Sequence, residues 1–166
     1  MQPDRDHIDA AIERMSLAEP TTIEVVVRTA EQGDIRSMIG LADFWYDNQD
    51  RAASLKWMQR AEDTLAADDA ESPIYLASAL ERGLGAGSYD ERKARALRYL
   101  ERVADADNLV VMHTLMSYFL YGLNGAPRDR ERFRYWASRA AALGSEAAKE
   151  VLSPGSTAFE DAEPGA

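Results

Sequence analysis

Between residues 22 and 151 the apolar positions of this chain recur at spacings of 3, 4 and 7, the pattern of an amphipathic helix. Three segments align with one another: SLKWMQRAE at 54–62, ALRYLERVA at 96–104 and FRYWASRAA at 133–141. Each opens on a small or apolar residue. An aromatic follows three places on, a basic residue six places on, and a small or apolar residue seven places on. The columns are Ser54/Ala96/Phe133, Trp57/Tyr99/Trp136, Arg60/Arg102/Arg139 and Ala61/Val103/Ala140. The non-basic columns share one helical face, where the aromatic supplies bulk and the small residue admits a neighbouring helix. A weaker copy, TIEVVVRTAEQG at 22–33, keeps Ile23, Arg28 and Ala30 and has Val25 in place of the aromatic. The copies start 32, 42 and 37 residues apart.

Each of these B helices is preceded by a partner, an A helix. IRSMIGLADFWYDN at 35–48 carries Met38, Leu41, Ala42 and Trp45. SPIYLASALERG at 72–83 carries Leu76, Ala77 and Leu80, and LVVMHTLMSYFLYG at 109–122 carries Leu115, Met116 and Phe119. A leading A helix is expected over 4–18, with Ile8, Ala11, Ile12 and Met15 as its stripe. The punctuation agrees. Gly33 and Asp34 read as a C′ glycine followed by an N-cap. Ser72 before Pro73 reads as an N-cap with proline at the first helical position. Ser88 with Glu91 reads as a capping box. Asn124-Gly125 and Pro127 break the chain before the last B helix, and Gly144-Ser145 ends it and opens a short helix to about Val151.

The expected fold is therefore all-α: a right-handed α/α superhelical solenoid of about four helix-pair repeats and about eight helices, spanning 1–152. Stacking buries apolar faces that no single pair can bury. Residues 153–166, SPGSTAFEDAEPGA, lack periodicity and carry three acids and no base, so a disordered acidic tail is expected.

Composition narrows the function. At 166 residues and 46% apolar the chain suits one ordinary domain with a real core. Cysteine is absent, which removes disulfides, thiolate nucleophiles and cysteine-ligated zinc. The amino end, MQPDRDHIDAAIERM, is too acidic for a secretory signal, and no run approaches membrane-spanning length. A soluble, cytoplasmic protein is expected. The net charge of −10 argues against nucleic acid and anionic membranes as partners. Another protein, and a basic one in particular, fits that field. A homo-oligomer is allowed but nothing indicates one.

No motif supports catalysis. GLGAG at 83–87 has the glycines of a dinucleotide loop but follows a helix, where a turn is expected. His7 and His113 lie outside any metal-ligand spacing, and His113 is expected to pack or to face a partner. Glu62, Asp63, Asp68, Asp69 and Glu71 lack the spacing of a calcium loop and are expected to form a solvated rim. The expectation is a non-enzyme without catalytic residues, cofactor or metal. Phe44, Trp45 and Tyr46 are consecutive, so a helix must turn at least one of Phe44 and Tyr46 away from the core stripe.

These repeats resemble the Sel-one-like repeat, a branch of the tetratricopeptide-like superfamily. The family pattern runs from a leucine-glycine pair and a tyrosine through a G-x-G loop and a D-x-x-K-A step to A-L-x-W-Y-x-x-A-A-x-x-G. RGLG at 82–85, KARALRYLERVA at 93–104, YGLNGAPRD at 121–129 and RAAALGSEAA at 139–148 carry the likeness. The first repeat departs, with YDNQDRAA at 46–53 in place of the glycine loop. The glycine after leucine is replaced by Ala42, Ala77 and Met116. The resemblance implies a scaffold whose concave face holds another protein. In bacteria it extends to regulators, secretion-associated adaptors and immunity proteins that neutralise delivered toxins. The favoured implication is a cytoplasmic inhibitor of a secreted toxin or effector, with an adaptor or scaffold as the alternative. The concave positions it implies are Arg36, Ile39, Asp43, Tyr46 and Asp47 around Leu41. They continue with Glu71, Ile74, Ser78, Glu81 and Arg82 around Leu76. Around Leu115 they are Val110, His113, Ser117, Leu120 and Tyr121.

Overall fold

The computed structural model describes residues 20–162. Among them every regular element is a helix: α1 Pro20–Glu31, α2 Ile35–Asp47, α3 Arg51–Thr64, α4 Ser72–Glu81, α5 Tyr89–Asp105, α6 Leu109–Tyr121, α7 Arg130–Ala142, α8 Glu146–Val151 and α9 Ala158–Asp161. The all-α expectation holds. The expected leading helix over 4–18, and His7 within it, lie outside the described residues. The chain divides into two compact units, 1–88 and 89–166.

In the first unit α2 packs against α1, α3 and α4. Met38, Leu41 and Ala42 of α2 are fully buried, as are Met58 and Ala61 of α3 and Leu76 of α4. The α1–α2 contact carries a buried hydroxyl pair, Thr29 Oγ1 to Ser37 Oγ at 2.7 Å. Thr29 also donates toward the Val26 carbonyl at 3.0 Å, so neither hydroxyl is stranded in the core. In the second unit α6 packs against α5 and α7, and α7 against α8. Leu115 and Phe119 of α6, and Ala137 and Ala140 of α7, have no exposed surface. Burying each large side chain contributes about 1.5–3 kcal/mol.

The helix starts follow a shared device. Asp34, Asp50, Asn108, Asp129 and Ser145 each accept a hydrogen bond from the backbone N–H three residues on. The expected cap of α4 is corrected. Ser72 is already helical, and the Asp69 carboxylate accepts from the N–H groups of Glu71 at 3.0 Å and Ser72 at 2.9 Å. One carboxylate reaching two orphan donors outcompetes a single hydroxyl. The glycine punctuation holds, with left-handed φ of +99° at Gly33 and +75° at Gly125.

The B-helix columns are sharpened. The buried stripe includes a column four places on that varies too much in type to be read by eye: Val26, Met58, Leu100 and Ala137. Trp57 and Tyr99 of the aromatic column are only half-buried, whereas Trp136 is buried. In the weak first copy Thr29 occupies the seventh-place column and is buried beside Ala30.

Residues 158–161 form a helical turn, because Phe159 finds a partner in Phe133, with ring centroids 5.9 Å apart.

Candidate functional site

The face implied for binding lies on A helices: α2 and α4 in the first unit, α6 in the second. In the first unit the side chains are tied together in pairs. The Arg36 guanidinium stacks 4.4 Å from the centre of the Tyr75 ring. Asp43 and Arg82 form an ion pair at 3.1 Å across α2 and α4, and Arg82 also donates to Ser78 Oγ at 3.1 Å. Burial pushes the Asp43 carboxyl up. Arg82 opposes that shift and the Asp47 carboxylate adds to it.

Tyr46 is 41% exposed. Arg51 stacks 4.9 Å from its ring and donates to the Gly83 carbonyl at 3.2 Å. Asp47 is exposed beside it, and Ile74 and Glu81 are half-buried. Ile39 is buried in the core, because its offset on α2 turns it toward the packed neighbours rather than outward. Glu71 is exposed at the amino end of α4, where its own N–H serves the helix cap.

The second unit gives a different picture. Val110 is 76% exposed and Tyr121 38% exposed on α6. His113 is turned to an internal bond, Nε2 to Ser145 Oγ at 2.9 Å. Ser117 donates to the His113 carbonyl at 3.1 Å. Ser145 is buried and also accepts from the Ala148 N–H at 3.2 Å, so the serine caps α8 and the histidine braces that cap. Leu120 is half-buried, and its carbonyl accepts from Arg128 Nε at 3.1 Å.

The other candidates resolve into structure. GLGAG lies between α4 and α5, with Gly83, Gly85 and Gly87 at φ of +99°, +88° and +95°, and is a turn. Among the described residues no group of three or more His, Asp or Glu could hold a metal ion. Also among them, no helix is long and apolar enough to cross a membrane.

Residue spacing did not single out Tyr75, Arg51, Arg128 or Phe159. Tyr75 and Arg51 are isolated aromatic and basic residues with no periodic signal of their own. Phe159 did carry a signal, as the one aromatic of an acidic tail.

Fold and face together define an all-α protein built of repeated helix pairs. No family model matches the chain, and no curated protein matches it. Among solved structures it is similar to a Sel1 repeat protein from Oxalobacter formigenes, at 22% identity over 78% of this chain and 95% of that chain, with a TM-score of 0.44.

Proposed function

We infer that this chain is a non-enzymatic protein-binding module that works as a cytoplasmic inhibitor of a secreted toxin or effector. One observation carries the reading. Tyr46 stands exposed on a helix whose neighbours are already locked in place: Arg36 by Tyr75, Asp43 by Arg82, and Tyr46's own ring by Arg51. A tyrosine anchor on a preordered face loses little entropy on binding. In the second unit Tyr121 of α6 is likewise exposed. The net charge of −10 favours a basic partner surface and speeds its approach.

The test is co-expression with the product of the neighbouring reading frame. The expected result is a stable complex that suppresses the partner's activity. The double variant Tyr46→Ala, Tyr121→Ala should keep its helical signal and lose at least about tenfold in affinity, as hot-spot truncations do. A partner bound equally well by the variant would move the site off this face. Failure to bind would remove the inhibitor reading.

A further inference from the structure

A second surface lies at the amino end of α7. The chain occupies it with its own tail. Arg128 is tied to α6 independently of the tail's own atoms: its Nε donates to the Leu120 carbonyl. Its guanidinium then stacks 4.5 Å from the centre of the Phe159 ring. The same group donates from Nη2 to the carbonyl of Phe159 and, at 2.8 Å, to that of Ala162. Arg130 pairs with Glu160 and lies 5.9 Å from the Phe159 ring centre. Phe133, buried at the base, closes the aromatic contact.

Helix stability does not explain these arginines. Cations at the amino end of a helix oppose its dipole, whereas an acid such as Glu160 complements it. Nor is the tail self-sufficient. A helix of 4 residues cannot nucleate alone in water, so α9 exists because it is docked. The patch thus reads three chemical features at once: an aromatic ring, the acid after it, and backbone carbonyls left open at the end of a helical turn.

We propose that Arg128, Arg130 and Phe133 form a receptor for a short aromatic-acid segment of a partner protein, and that residues 157–162 guard it in cis. The proposal does not rest on the inhibitor reading of the A-helix positions. A partner segment of the same chemistry displaces the tail, and the tail sets the threshold for binding. The connection from Leu152 to Thr157, with Pro154 and Gly155, is long enough to let the turn leave without unfolding α8.

The probe is a labelled peptide of residues 156–162, STAFEDA, added in trans to the full chain and followed by fluorescence polarisation. The wild type should bind it weakly because its site is occupied. Phe159→Ala and, independently, Glu160→Lys release the tail and should each tighten binding by about tenfold or more, the fraction of open sites having risen. Arg128→Ala with Arg130→Ala on either background should abolish it, as should alanine for phenylalanine in the peptide. Circular dichroism confirms that each variant stays helical. Equal binding by wild type and both released variants, or binding that survives loss of the arginines, overturns the proposal. So does a wild-type dimer that Phe159→Ala dissolves, because the tail would then belong to a second copy.

Discussion

Arg60 donates from its guanidinium to the backbone carbonyl of Glu31 at 3.1 Å, and so ties α3 to the last turn of α1. The same column does the same work in the second unit. Arg139 of α7 donates to the Asp105 carbonyl at 3.2 Å and to the carboxylates of Asp105 and Asp107 at 2.6 and 2.8 Å. Each arginine also stacks near the aromatic three residues before it, Trp57 at 5.3 Å and Trp136 at 5.7 Å. Arg60 and Arg139 thus each brace one B helix to the carboxyl end of the one before it. There the helix dipole and unsatisfied carbonyls attract a cation.

Arg139→Ala should therefore cost about 1–3 kcal/mol of stability, the span from an ordinary to a charge-assisted hydrogen bond. Arg139→Lys should recover little, since an ammonium cannot serve the carbonyl and two carboxylates in one plane. Urea denaturation of the three proteins checks this. A lysine variant as stable as the wild type would reduce the brace to simple charge attraction.

Gly125 makes a second prediction. A Cβ there would sit 2.7 Å from Cβ of Lys93, and the residue holds φ of +75°. Lys93 cannot give way easily: it is buried, and its Nζ donates to Asn124 at 3.0 Å. Gly144 also has positive φ, +94°, but a Cβ there would meet nothing within 4 Å. Gly125→Ala should cost more than Gly144→Ala, where only backbone strain of about 1 kcal/mol applies. Thermal melts of the two variants give the difference directly, and equal losses would deny the Lys93 contact.

The pH dependence of stability has a definite sign at Asp43. Its carboxyl is raised above the ordinary 3.8 by burial, so the folded chain holds that proton more tightly than the unfolded chain does. The group's contribution is fully present below 3.8 and is lost as pH rises through the higher folded value. Asp43→Asn cannot titrate. The stability of the wild type minus that of Asp43→Asn should fall as pH rises through the interval just above 3.8. Urea midpoints of both proteins across the acid range measure it. A difference that grows with pH would mean Arg82 outweighs the burial.

Much of the fold is legible in the sequence because helices are local. The 3–4–7 spacing locates α2 to α7, and Asp34 and Ser145 mark where α2 and α8 begin. Leu41, Leu76 and Leu115 are buried as their spacing requires. The column of Val26, Met58, Leu100 and Ala137 escaped because packing needs volume there, and any apolar residue of the right size will do.

The candidate face was legible as positions but not as roles. Spacing cannot say that Ile39 turns inward or that His113 braces the Ser145 cap, since both depend on which neighbour a helix meets. The same holds for the tail. Its sequence shows only acids and one phenylalanine. Docking on Arg128, Arg130 and Phe133 joins residues about thirty positions apart in the chain, a pairing set by tertiary contact. By itself the sequence determined the helices and much of their buried stripes, through hydrogen bonds and periodicity that act within a few residues. Only the tertiary structure decided which exposed side chains are locked, which are free to bind, and where the tail comes to rest, because those depend on contacts between elements distant in the chain.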